Sequence, residues 1–230
     1  RQRQMCIRDS RVMAPHITTA SSYLFVPANR PERYAKALES GADAVIVDLE
    51  DAVALPQKEE ARATLARWLR GNGPQPRLWV RINAADTVWH GDDLLTFSAL
   101  SMAGIVLPKA EEAKTLSSIA RRLGPGRGLI ALIESAAGLA AMREIAAVPG
   151  VQRLAFGSID AQVDLGMQCG PEEEELMHFR MEMVMASRLA GIAPPIDGVT
   201  TDFNDDAFLA RMVQRAVSYT HLRAHETSLH

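Results

Sequence analysis

Five times in this chain an apolar, β-branched run ends on charged or strongly polar residues. Ala44-Val45-Ile46-Val47 leads into Asp48, Leu49, Glu50 and Asp51, and Leu78-Trp79-Val80 into Arg81, Ile82 and Asn83. Ile105-Val106-Leu107 leads into Pro108 and Lys109, Leu129 to Ile133 into Glu134, and Leu154-Ala155-Phe156 into Gly157, Ser158, Ile159 and Asp160. Unbroken apolar runs of this length are what strands buried on both faces require, and such strands belong to parallel sheets covered by helices. Parallel strands all point the same way, so their C-terminal ends share one face. In barrel folds that face carries the chemistry. The pattern therefore predicts an α/β fold with an arginine, a lysine and several carboxylates on a common rim.

Strand starts fall near Ser22, Ala44, Leu78, Gly104, Leu129, Arg153 and Ile196. Most intervals are about 22 to 34 residues, the length of one strand–loop–helix unit in an eight-unit barrel of ~250 residues. Helical patterns fill the intervals: Pro31 to Ser40, Gln57 to Arg70, Asp92 to Met102, Glu111 to Leu123, Leu139 to Ala147, Pro171 to Ala190 and Asp205 to Ala216. Gly41, Gly71, Gly104, Gly124 and Gly191 follow five of these as candidate left-handed caps. An open nucleotide-binding sheet would place its glycines after the first strand. Here the cluster Gly124-Pro125-Gly126-Arg127-Gly128 lies between a helix and a strand and reads as a turn. The expectation is a TIM-type (β/α)8 barrel, truncated after about seven strands.

Composition removes several classes of partner. A formal net charge of −3 offers no basic stripe for nucleic acid. No apolar stretch approaches the roughly 20 residues of a membrane span. Cys6 and Cys169 make no disulfide framework, which suits a reducing cytoplasm. Residues 1–20 read as a non-native leader and 217–230 as a non-native tail, leaving 21–216 as the barrel domain. His221, His225 and His230 have metal-like spacing but fall in that tail, and are set aside on that ground.

Glu134 and Asp160 are each expected to close a strand, one barrel unit apart, which makes them neighbours on the rim. Two carboxylates about 4 Å apart repel by roughly 4 kcal/mol at an effective dielectric near 20. Either one is protonated or a cation lies between them. An oxygen-only pair suits Mg²⁺ or Mn²⁺; the alternatives are helix caps or ion pairs with lysine. Arg81 is either a structural salt bridge or a fixed cation aimed at charge developing on a substrate oxygen. Glu50 and Asp51 extend the acidic group and are expected to orient Arg81 or metal-bound water. Lys109 would form a Schiff base if desolvated or else balance the acidic rim, and balance is the reading preferred here. Glu172 to Glu175 reads as a solvated helix start, Met177, Met181 and Met185 as a buried stripe, His90 as a loop or cap residue, and Trp68 as core.

The segments Ser22 to Pro27, Gly41 to Val53, Val80-Arg81-Ile82-Asn83 and Leu107-Pro108-Lys109 resemble the citrate lyase β-subunit-like group of the HpcH/HpaI aldolase family. Ile133-Glu134-Ser135, Phe156 to Asp160 and Pro195 to Val199 continue the resemblance, which covers about Ser22 to Ala216. It implies Mg²⁺-dependent carbon–carbon lyase chemistry on a 3-hydroxyacyl-thioester of the citryl-, malyl- or citramalyl-CoA type, giving an acyl-CoA and a 2-oxo acid. Glu134 and Asp160 would then hold the metal, and Arg81 would stabilise the thioester enolate, supported by Glu50 and Asp51. A homotrimer or hexamer is implied, with an acyl-carrier protein as a further possible partner. Alternatives are a CoA-independent aldolase for 4-hydroxy-2-oxo acids and a non-catalytic fragment or subunit of a citrate lyase-type complex. Ser21 stands where relatives carry an arginine. The resemblance also implies a longer natural chain, with an eighth strand and a C-terminal acid/base group.

Overall fold

A computed structural model describes residues 20–199 and 205–220 of the chain. Six strands form one parallel sheet in sequential order: β1 (Tyr23–Pro27), β2 (Ala44–Asp48), β3 (Gln75–Arg81), β4 (Met102–Leu107), β5 (Gly128–Ile133) and β6 (Val151–Phe156). Helices α1 (Tyr34–Glu39), α2 (Lys58–Gly71), α3 (His90–Phe97), α4 (Ala113–Leu123) and α5 (Ala136–Ala146) follow the first five strands. After β6 come α6 (Ser158–Asp164), α7 (Met177–Ala190) and α8 (Asp206–Thr220). A parallel bridge from Ala155 to Ile196 starts a seventh strand position beside β6. Ile196 N–H donates to Leu154 O and Phe156 N–H to Ile196 O, both at 2.9 Å. This is the TIM-barrel type of α/β fold, with a sheet that is not closed among the described residues.

Residues β2, β4 and β5 are buried along their whole length, as strands covered on both faces must be. Alternation along all six strands sorts the sheet's side chains into two clusters. Val45, Val47, Leu78, Val80, Ile105, Leu129 and Leu154 face outward to the helices. Tyr23, Ile46, Trp79, Val106, Ile130, Leu132, Ala155 and Ile196 face inward.

Gly104 is an interior strand residue, not a helix cap. A Cβ there would lie 2.1 Å from Gly128 O and 2.6 Å from the Trp79 ring; one on Gly128 would lie 2.3 Å from the same ring. The two glycines make room for the indole. Gly71 ends α2 as a helical residue, whereas Gly41, Gly124 and Gly191 do take positive φ. Helix α3 stops at Phe97, short of the expected Met102, because Met102 pairs with Gln75 in the sheet. Helix α8 continues past the expected Ala216 to Thr220.

At the opposite end from the polar rim, buried Arg153 spans the open side of the sheet. Its Nη1 donates to Ala20 O at 2.7 Å and to the Tyr23 hydroxyl at 2.6 Å, and its Nε to Pro194 O at 2.9 Å. One guanidinium thus links β6, the entrance to β1 and the segment leading to Ile196. The methionine stripe is corrected. Met181 and Met185 are exposed, and α7 buries Arg180, Met183, Ala186 and Ser187 instead.

Gly104→Ala is expected to cost about 1–3 kcal/mol by overpacking. Gly91→Ala, where a Cβ meets nothing within 4 Å, is expected to be neutral or stabilising. Urea melts of the two variants check the contrast; equal stabilities would remove the interior role given to Gly104.

Candidate active site

Arg81, the last residue of β3, is bound bidentately by Asp48, the last residue of β2, to which it is paired in register. Nε donates to Asp48 Oδ1 and Nη2 to Asp48 Oδ2, each at 2.7 Å. Nη1 lies 3.3 Å from Glu50 Oε2 and Nη2 lies 3.4 Å from Asp51 Oδ2. The guanidinium also stacks over Phe25 of β1, 5.3 Å from the ring centroid. Asp48 has a role that a reading of strand-end charge misses. Besides Arg81, it accepts backbone N–H bonds from Glu50 at 2.9 Å and Ala52 at 3.0 Å, and so folds the acidic turn over itself. An Asp that closes an apolar run and opens a polar turn is the sequence signal for such self-bonding.

Lys58 is the second residue that sequence reasoning missed. Buried at the start of α2, it donates through Nζ to the carbonyls of Leu49 and Glu50 at 2.9 and 2.7 Å. Beyond β3, fully buried Asp93 accepts from Asn83 N–H at 3.0 Å, Asn83 Nδ2 at 2.6 Å and Arg62 Nη1 at 3.0 Å. His90 is the first residue of α3, and its Nδ1 lies 3.0 Å from Asn83 O. These bonds fix the two loops between which Arg81 stands.

Glu134 follows β5 directly and is 3% exposed. Its Oε1 accepts the Lys109 backbone N–H at 2.7 Å. Lys109 takes φ of 45° to present that N–H, while the residue itself is exposed. Asp160 does not close a strand: it is the third residue of α6, a helix the sequence pattern did not show, and it is exposed. The two carboxylates nevertheless line one cavity of about 300 Å³ together with Asp51, Arg81, Ser158 and Asp197. The inner apolar cluster, from Phe25 and Ile46 to Leu132 and Ile196, forms its floor. Sequence reasoning also read Glu172 to Glu175 as solvated, whereas Glu173 bonds Ser158, Gln162 and Arg180. The histidines 221, 225 and 230 lie outside the described residues.

Electrostatics separates the carboxylates. Burial pushes Glu134 up to about 8, the Glu50 charge adds to this, and the Lys109 N–H opposes it. Burial likewise pushes Glu50 up to about 7, against the pull of Arg81. Burial alone would raise Asp48 too, but the Arg81 charge and its hydrogen bonds more than offset it, and its carboxyl lies below the usual range. Positive charge does not offset burial at Glu50 and Glu134: Arg81 contacts Asp48, Glu50 and Asp51, and its pull on Glu134 is weaker than the upward push of desolvation.

Among the described residues no three His, Cys, Asp or Glu side chains form a metal-binding group. A two-carboxylate oxygen set still fits Mg²⁺, which binds through one or two carboxylates and keeps several waters. Gly157 adds a spatial reason, since a Cβ there would come within 2.5 Å of Glu134 Oε2. The glycine keeps that oxygen clear. A desolvated carboxylate kept clear in this way suits a hard cation.

A parallel barrel-type sheet with a buried arginine and an oxygen-only acidic rim defines a class of α/β-barrel enzyme. The family model described as HpcH/HpaI aldolase/citrate lyase matches residues 21–221, and the chain belongs to that family. It is 36% identical over 211 residues to the citrate lyase subunit beta-like protein of Deinococcus radiodurans, covering 86% of this chain and 73% of that one. It is 34% identical over 187 residues to a (3S)-malyl-CoA thioesterase of Cereibacter sphaeroides, covering 80% of this chain and 65% of that one. Among solved structures, that of the protein CitE from Mycobacterium tuberculosis in complex with magnesium, acetoacetate and coenzyme A matches with a TM-score of 0.80 at 32% identity. The match covers 92% of this chain and 78% of that one.

Asp48→Asn is expected to cost about 3 kcal/mol at pH 7, because it breaks a buried pair. A carboxyl held below its ordinary 3.8 contributes stability above that value and loses it as pH falls through the depressed folded value. Urea melts at pH 7 and at a series of pH values falling well below 3.8 should therefore show a smaller acid loss in Asp48→Asn than in the parent. Equal acid losses would contradict the assignment.

Proposed function

We propose that the chain carries the site of a Mg²⁺-dependent carbon–carbon lyase. It would cleave a 3-hydroxyacyl-CoA of the citryl-, malyl- or citramalyl-CoA type to an acyl-CoA and a 2-oxo acid. The convergence of Glu134, Asp160 and Arg81 on one cavity carries this reading. The malyl-CoA thioesterase relative supports a malyl-CoA type of thioester, the L-malyl-CoA/beta-methylmalyl-CoA lyase relative supports the cleavage, and the CitE complex with magnesium and coenzyme A supports the metal and the carrier. Mn²⁺ would suit the same oxygen ligands. Assembly as a homotrimer or hexamer, a cytoplasmic setting and use of an acyl-carrier protein belong to the same proposal, and the free thiol of Cys169 suits a reducing compartment.

In the cleavage the 3-hydroxyl loses its proton, the carbon–carbon bond breaks and the electron pair moves onto the thioester as an enolate. The enolate carbon then takes up a proton, giving the acyl-CoA, while the former alcohol carbon becomes the carbonyl of the 2-oxo acid. Glu134 and Asp160 would hold Mg²⁺, which when bound supplies Lewis-acid polarisation and neutralises charge on the 2-oxo acid. Arg81 would face the enolate oxygen. Its two short bonds to Asp48 fix the plane of the guanidinium, while the longer contacts to Glu50 and Asp51 are ones that a substrate oxygen can displace. Glu50 and Asp51 would steady the cation between turnovers.

Glu134→Gln is expected to lower metal-dependent cleavage of malyl-, citramalyl- or citryl-CoA by about 100-fold or more. Cleavage is read as release of 2-oxo acid. An unchanged rate removes the metal assignment, and release of CoA thiol without 2-oxo acid makes the chain a thioesterase. The free hydroxy acid should turn over far more slowly than its thioester, since remote CoA binding energy is then lost. Equal rates would favour the CoA-independent aldolase.

A further inference from the structure

Helix α6 carries Asp160 but has little packing to hold it. Of its seven residues only Ser158 and Ala161 are buried, while Ile159 and Val163 are exposed. Its placement therefore depends on polar contacts. Ser158 Oγ donates to Glu173 Oε1 at 3.0 Å, and Gln162 Nε2 approaches the same oxygen at 3.3 Å. These two residues bracket Asp160 along the helix. Gly198 closes the other side of Ser158, since a Cβ there would lie 2.6 Å from Ser158 Oγ.

Glu173 is itself held in an unfavourable state. Its φ is 46°, a left-handed conformation that disfavours a residue with a Cβ. Arg180, 2% exposed, donates from Nη1 to the Glu173 carbonyl at 3.1 Å and pairs through Nη2 with Glu173 Oε2. Its Nε donates to Asp197 Oδ1 at 2.9 Å, and its guanidinium stacks 5.2 Å from the ring centroid of Phe156, the last residue of β6. Arg215 of α8 adds a longer contact, 3.7 Å from Glu173 Oε2. One buried cation thus joins the end of β6, the segment after Ile196 and the strained residue that grips α6.

We propose that Glu173, locked by Arg180, is a positioning residue that sets Asp160 opposite Glu134 for metal binding. The inference rests on the assignment of Glu134 and Asp160 as the metal pair. It adds a residue that touches neither metal nor substrate. Supporting residues of this kind usually change metal affinity by about 10–100-fold when removed.

The test is calorimetric Mg²⁺ binding to the full chain and to Glu173→Ala, Glu173→Gln, Asp160→Asn and the Glu173→Ala/Asp160→Asn double variant, with a urea melt of each. Asp160→Asn and Glu173→Ala should each weaken Mg²⁺ binding by about 10-fold or more. The double variant should bind no more weakly than Asp160→Asn alone, because Glu173 affects the metal only by placing Asp160. Glu173→Gln keeps one acceptor oxygen but turns an amide NH2 toward either Ser158 or Arg180, so it should weaken Mg²⁺ binding severalfold, less than the alanine variant, and it carries the test if the alanine variant fails to fold. Wild-type affinity in Glu173→Ala or in Glu173→Gln, or full additivity in the double variant, overturns the proposal. Wild-type affinity in Asp160→Asn overturns the metal pair as well, so the two failures are distinguishable.

Discussion

The site depends first on the pairing of Arg81 with Asp48. Both side chains are almost fully removed from water, and each would be costly alone. Together they use adjacent strand ends that the parallel register places side by side. Asp48 then spends its remaining acceptor capacity on the turn that carries Glu50 and Asp51, and Lys58 ties the carbonyls of the same turn from below. The position of the guanidinium and the shape of the acidic loop are therefore one problem with one solution. Burial pushes the carboxyls of Glu134 and Glu50 upward, toward the protonated form, and a divalent cation would favour their ionised form instead.

Stability and chemistry occupy opposite ends of the sheet. At the N-terminal ends of the strands, Gly104 and Gly128 yield space to Trp79, and Arg153 reaches from β6 to β1. At the C-terminal ends, loops fixed by Asp48, Asp93 and Glu173 present polar groups to a cavity with an apolar floor. The division is physical. Inward-facing side chains fill the interior, so only the loops at one end are left to hold water, metal or substrate.

Strand order, buried runs and the placement of Arg81 and Glu134 at strand ends were legible because burial on both faces leaves a continuous apolar run with an abrupt end. Asp48 was legible as a charge but not as the partner of Arg81, since pairing across strands depends on register. Helix α6 escaped notice because a seven-residue helix with two buried positions leaves almost no periodic signal. The methionine spacing misled for a related reason. Residues four apart share a helix face, but the spacing does not say whether that face meets the core, and here Arg180 and Met183 point inward instead.

The sequence by itself determined the parallel α/β class, the side of the sheet that carries polar groups and the family resemblance, because these follow from local runs and their endings. Only the tertiary structure decided which carboxylate binds Arg81 most closely, that Asp160 reaches the rim from a short helix, and that Glu173 and Arg180 hold that helix in place. Those outcomes turn on contacts between residues 17 to 33 positions apart in some cases, as in Arg180 with Asp197 and Arg81 with Asp48. No local pattern encodes such distances; sheet register and the competition for a few buried cations do.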